Sequence, residues 1–196
     1  MNLAIGILTG GMSRRMGTPK ALLPVDGSTL LERTIEIARS ISDDLLLLGQ
    51  PVFDLPTSAK SIQIVPDRHP GIGPIAGLES LLLARPDSTC ILLACDMPNL
   101  HADLLKRLTE PADHADASVC ATATDPPLHP CCALYKPACL PLVQEVIAGK
   151  RYGMISLLSR LRVHKVELSN DEAIGVVNWN EPNDLPDGVR PPRSPC

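Results

Sequence analysis

Short, unbroken apolar runs restrict the possible fold of this chain more than any other feature. Leu3–Leu8 (LAIGIL), Leu45–Leu48 (LLLL) and Cys90–Ala94 (CILLA) are too short for buried helices and lack the alternation of a half-exposed strand. Such runs suit strands covered on both faces, as in a parallel sheet flanked by helices. Aromatic residues are only 2% of the chain, so a core of Leu, Ile, Val and Ala is expected rather than an aromatic-rich sandwich. Amphipathic stretches fill the gaps. Thr29–Ile41 presents Leu30, Ile37 and Ile41 beside Leu31, Thr34 and Ala38, a helical face. Helices are also expected at Ile75–Leu83, Ala102–Thr109, Pro137–Ala148 and Met154–Arg160. Further strands are expected at Ile62–Val65, Ala117–Ala121, Cys131–Tyr135, Val163–Leu168 and Ile174–Val177. The alternation predicts an α/β fold, a mostly parallel sheet with helices on both faces.

The 196 residues suit one domain, read as 1–185, followed by a Pro-rich stretch, 186–196, that reads as a mobile tail. A net charge of −4 without a long basic run argues against a nucleic-acid or membrane surface. Seven cysteines, an odd number without C-x-x-C spacing, read as reduced thiols and point to the cytoplasm. The N-terminus lacks the basic region of a signal peptide, and no apolar stretch approaches the ~20 residues of a membrane span.

In open α/β sheets, ligands lie beyond the carboxyl ends of the strands, near a switch in strand order. Four such ends carry polar groups: "TGGMSRRMGTPK" after the first strand, "VPDRHPGIGPIAG", "ACDMP" and "NWNEPNDL". The first matches neither a P-loop, because Thr18 rather than Lys follows Gly17, nor a G-x-G-x-x-G fingerprint. Its bare backbone at Gly10 and Gly11 would let N–H groups approach phosphates or a base edge, with Arg14 and Lys20 neutralising a pyrophosphate leaving group.

The segment "LTGGMSRRMGTPKALLPVDGSTLLE" resembles the opening of the molybdenum cofactor guanylyltransferases, the MobA family of nucleotidyltransferases. "VPDRHPGIGPIAGL", "LLACDMPNL", "LHPCCALY" and "VNWNEPNDL" resemble that family's later motifs, in order, over nearly the whole chain. The resemblance implies a three-layer, Rossmann-like nucleotidyltransferase fold. It further implies Mg²⁺-dependent transfer of GMP from GTP to molybdopterin, with pyrophosphate released. The N-terminal part would bind nucleotide and the C-terminal part molybdopterin. Leu8, Thr9, Gly10 and Gly11 would line the nucleotide, Lys20 would contact its phosphates, and Asp67 would help hold GTP. Asp96 would bind Mg²⁺ and GTP, and Asn178 and Asn180 would lie on the molybdopterin side. Asn180 is the candidate second metal ligand, by similarity to sugar nucleotidyltransferases. Arg14, Lys20 and Asp96 form the candidate catalytic set. The family also implies transient contact with proteins that deliver and accept the cofactor.

Two positions depart from the family pattern. Pro19 stands where Asp usually precedes the loop lysine, and only Gln50 offers an amide near the position where Asn commonly follows the second strand. Each residue also has a plainer reading: Asp96 as an N-cap before Leu100, Asp67 as a turn residue, His129 as a strand start, Arg15 as a solvated charge and Cys131–Cys132 as strand packing. Rival activities are the sister cytidylyltransferase, whose loop typically reads L-A-A-G, a sugar-1-phosphate nucleotidyltransferase, and a silent nucleotide- or cofactor-binding module.

Overall fold

The computed structural model describes residues 2–10, 19–180 and 184. Gly11, Arg14, Arg15 and the segment 186–196 expected as a tail lie outside the described residues.

In chain order the elements are strand β1 (Leu3–Leu8), a two-stranded ribbon of β2 (Pro24–Val25) and β3 (Ser28–Thr29), helix α1 (Leu30–Arg39), β4 (Leu45–Leu48), β5 (Gln63–Val65), α2 (Pro74–Ala84) and β6 (Thr89–Ala94). Then come α3 (Ala102–Leu108), β7 (Ala117–Ala121), β8 (Leu128–Tyr135), α4 (Leu140–Ala148), α5 (Met154–Leu158), β9 (Val163–Glu167) and α6 (Asn170–Ala173). Among the described residues seven strands form one sheet, ordered β5-β4-β1-β6-β8-β7-β9. Only β8 runs against its neighbours β6 and β7; the other pairs are parallel.

The apolar runs are unbroken because both faces of the sheet are covered. Ile5, Ile7, Leu45, Leu47, Ile91 and Leu93 pack with Leu31 and Ile35 of α1 and Leu105 and Leu108 of α3. Ala4, Leu46, Leu48, Cys90 and Leu92 face the other way, against Leu78 and Leu81 of α2, Val143 and Val146 of α4 and Leu157 of α5. Each fully buried Leu or Ile contributes about 1.5–3 kcal/mol, so a one-residue slip in register would be costly. Helix α1 begins in a capping box, where Thr29 Oγ1 accepts from the Glu32 N–H and the Glu32 carboxylate accepts from the Thr29 N–H.

The chain leaves β1 for β4 and β5 on one side, then crosses back to place β6 on the other. That reversal puts the switch point at the carboxyl end of β1, where a ligand crevice opens.

One expected strand is absent. Ile174–Val176 forms a 3-10 turn continuing from α6, whose own start is fixed by a Ser169–Glu172 capping box. Gly175 packs there so closely that a Cβ would stand 2.7 Å from Leu104 Cδ1. Only Gly175 and Val176 of the apolar run are buried, while Ile174 and Val177 stay exposed. Several other elements differ in extent; β8 begins earlier, at Leu128, Pro137–Cys139 forms a 3-10 turn before α4, and α5 ends at Leu158. Among the described residues no helix is long and apolar enough to cross a membrane.

Candidate active site

At the end of β1, Thr9 and Gly10 are held by one acceptor on β4. The Leu48 carbonyl accepts from the Thr9 N–H at 3.0 Å, the Thr9 hydroxyl at 3.1 Å and the Gly10 N–H at 3.1 Å. The Gly10 N–H thus points at β4 rather than into the crevice, contrary to the sequence expectation for this position. The bare Cα of Gly10 serves a different purpose. It lets Gly49, with φ at +85°, cross the end of β1 in backbone contact. Asp67, just beyond β5, lies beside this crossing, with Oδ2 3.5 Å from where a Gly49 Cβ would stand. Its Oδ1 is buried without a hydrogen-bond partner, and burial raises its pKa above the ordinary carboxylate value.

A second group assembles at the end of β6. Lys20 opens a 3-10 turn whose next residues are pinned by buried Ala21 and Leu23. Its Nζ donates to Asp96 Oδ2 at 2.9 Å and to Asn180 Oδ1 at 2.8 Å. The C-terminal segment is brought here by its backbone: the Trp179 N–H donates to the Asp96 carbonyl at 2.9 Å. The Trp179 ring packs against the buried pair Leu23 and Leu30. Asp96 does not cap α3, because the N-cap position is His101. The Asp96 Oδ1 atom is buried and without a hydrogen-bond partner.

Between these groups lies a cleft of about 330 Å³, lined among others by Leu8, Thr9, Gly10, Lys20, Asp96 and Asn178. The fold therefore brings the expected residues of β1, the lysine turn, β6 and the C-terminal segment to one place. Asp67 stands beside the Gly10–Gly49 crossing and Asn180 beside Lys20. His129 bonds to Thr122 through Nε2 at 3.1 Å, between β8 and the end of β7 rather than on the cleft wall.

Sequence reasoning missed Gly49, Phe53 and Cys131. Gly49 carried a signal, since a glycine directly after a buried apolar run often marks a close backbone approach. Phe53, the single phenylalanine, lines the cleft from the loop after β4. Cys131, read as packing, lines it from β8; burial, reinforced by the Asp96 charge, pushes its thiol up to about 12, so it stays protonated at neutral pH.

The two oxygens that meet Lys20 are a carboxylate and an amide, the donor types that hard divalent cations take. Asp96 and Asn180 already converge on one cation, the Lys20 ammonium, and a buried carboxylate oxygen is left over. The residues present fit a single Mg²⁺ that draws its remaining ligands from phosphate and water.

Comparison with known proteins places the chain among its relatives. A molybdenum cofactor guanylyltransferase of Xanthomonas euvesicatoria pv. vesicatoria is 31% identical, over 90% of this chain and 88% of its own length. A protein of Carboxydothermus hydrogenoformans named "probable molybdenum cofactor guanylyltransferase" is 30% identical, over 83% of this chain and 80% of its own. In fold, the chain is similar to the crystal structure of molybdopterin-guanine dinucleotide biosynthesis protein A from Archaeoglobus fulgidus, with a TM-score of 0.75, 23% identity, and coverage of 92% of this chain and 94% of that one. Residues 5–166 match the MobA-like NTP transferase domain, and the chain belongs to that family.

Proposed function

We propose that this protein transfers GMP from GTP to the terminal phosphate of molybdopterin, forming the guanine dinucleotide cofactor and releasing pyrophosphate. The observation that carries the reading is the convergence of Lys20, Asp96 and Asn180 at the switch-point cleft of a MobA-like chain. The relatives' names supply the base and the acceptor.

The chemistry asks little of the protein beyond placement and charge. An acceptor phosphate is already ionised and needs no general base, but it must approach an α-phosphate that is also anionic. The Lys20 ammonium offsets charge on the β- and γ-phosphates, where the leaving group develops. Mg²⁺, held by Asp96 and Asn180, supplies further neutralisation of phosphate charge when bound. Thr9, Gly10 and Asp67 line the base and ribose side, and the Asp67 carboxylate, short of donors, accepts from nucleotide N–H or O–H groups. Asn178 faces the acceptor across the cleft. Arg14 adds positive charge toward the leaving group. The N-terminal half is thus the nucleotide side and the C-terminal segment the molybdopterin side of one domain. Free, mostly buried thiols suit a reducing cytoplasm. A labile cofactor calls for transient contact with the proteins that deliver and receive it.

The test is pyrophosphate release with Mg²⁺ and molybdenum-loaded molybdopterin, comparing GTP, CTP and ATP. Preference for GTP supports the reading. Preference for CTP would move the chain to the cytidylyltransferase activity, and no release with any nucleotide would favour a silent binding module.

A further inference from the structure

Lys20 occupies the position that the proposed function gives to a metal. Its Nζ lies 2.9 Å from Asp96 Oδ2 and 2.8 Å from Asn180 Oδ1, the two atoms read as metal ligands. A divalent ion on those same oxygens, at the ~2.1 Å typical of Mg²⁺, would stand almost against the ammonium. Two cations cannot share that space. We infer that Lys20 is a resident counter-cation of the metal position: it keeps Asp96 and Asn180 occupied in the nucleotide-free protein and yields them as nucleotide phosphates draw its ammonium away.

Three observations support this beyond the distances. The pair is sheltered, with side-chain exposures of 20% for Lys20 and 15% for Asp96, so the charges interact more strongly than they would in bulk water. Even with Lys20 in place, Asp96 Oδ1 is buried and lacks a hydrogen bond, so this carboxylate can accept more than it receives. Finally, Pro19 stands where the family pattern has Asp, so the residue before Lys20 offers no carboxylate. Lys20 here turns to the Asp96 carboxylate across the cleft.

The consequence is coupled binding. A divalent ion alone must expel the ammonium from both oxygens, whereas an ion arriving with nucleotide brings phosphates that offer Lys20 a new partner. Metal and nucleotide should therefore each tighten the binding of the other, by the same factor. Lys20 contacts phosphate in one state and guards the metal ligands in the other.

The inference rests on Asp96 and Asn180 as metal ligands, and the experiment separates the two ideas. Mn²⁺ is titrated into nucleotide-free protein, with the free ion followed by electron paramagnetic resonance. Wild type should bind it weakly. Lys20→Met, neutral and similar in length, should bind it about tenfold more tightly or better, while Lys20→Arg should match wild type. In Lys20→Met the mutual tightening between Mn²⁺ and GTP should shrink. Equal Mn²⁺ affinity in wild type and a folded Lys20→Met would overturn the inference, as would tightening in Lys20→Arg. If circular dichroism shows Lys20→Met unfolded, Lys20→Gln supplies the neutral arm. Asp96→Asn should abolish Mn²⁺ binding in every background. If it does not, the reading of the metal ligands fails rather than the role of Lys20 alone.

Discussion

Gly49 and Gly10 bring the ends of β4 and β1 into direct backbone contact: a Cβ on Gly49 would stand 2.9 Å from Gly10 Cα and 3.0 Å from its nitrogen. Gly49 also has φ at +85°, where side chains are strained. Gly49→Ala should therefore cost about 2 kcal/mol or more, from strain and overpacking together. Gly10→Ala meets its nearest neighbour at 3.3 Å, has no such φ, and should cost less. Urea midpoints at constant slope would check the order. Equal losses would mean that the crossing relaxes freely.

Asp67 should prove costly to stability and valuable to binding. Burial raises its pKa in the folded protein above the unfolded value, so the penalty is absent at low pH and grows as pH rises through the folded pKa. Asp67→Asn should be at least as stable as wild type at pH 7, with any gain fading in acid. GTP affinity should fall about tenfold or more, from loss of a charged acceptor. Calorimetric titration against thermal melts would separate the two effects. A variant that lost stability but kept affinity would make Asp67 a structural turn residue.

Trp179 is the single tryptophan, and it links the lysine turn to Asp96. Its fluorescence should change on addition of Mg²⁺ and GTP to wild type, and should not change in Asp96→Asn. Trp179→Ala should destabilise by about 2 kcal/mol, less than a fully buried Trp because the ring is only partly covered. It should also raise KM for molybdopterin more than for GTP, since Asn178 and Asn180 lose their anchor. Steady-state kinetics with each substrate varied would show the split.

Away from the cleft, Asp116 clamps the starts of β7 and β9. Its carboxylate accepts from Arg162 Nη2 at 2.6 Å, Nε at 3.0 Å and the backbone N–H at 2.9 Å. These bonds, first the Arg162 side chain, lower its pKa to about 2. The stabilisation is present above the unfolded carboxylate value of about 3.9 and is lost as pH falls through about 2. Asp116→Asn should cost about 1 kcal/mol at pH 7, as expected for an exposed ion pair reinforced by a backbone bond. Urea melts from pH 7 to pH 2 should show the gap between wild type and variant closing in acid. A gap that persisted at pH 2 would assign the effect to packing.

The strands most legible in the sequence were β1, β4 and β7, whose bounds match the expected Leu3–Leu8, Leu45–Leu48 and Ala117–Ala121. A short run that is wholly apolar, as in β1 and β4, or nearly so, as in β7 with its buried Ser118, has no stable place but a strand buried on both faces, and that constraint is local. The Ile174–Val177 run shows where local reasoning stops. Those residues are as apolar as a strand, but α6 starts from its own capping box and runs on into the 3-10 turn, and Leu104 lies ready to receive Gly175. The polar residues at strand ends were likewise visible from their positions alone.

Only the tertiary structure decided which of those residues meet. Lys20 reaches Asp96 across 76 residues and Asn180 across 160, distances over which no sequence period carries information. Those meetings follow from the crossover that sets β6 beside β1 and from the backbone bond between Trp179 and Asp96. The Gly10 N–H shows the same division. Its residue type announced bare backbone beside a ligand, but the nearest acceptor in the folded chain is Leu48, and the N–H turned to it. Hydrophobic burial is specified residue by residue along the chain, whereas the pairing of polar groups depends on which strand ends the connections place side by side.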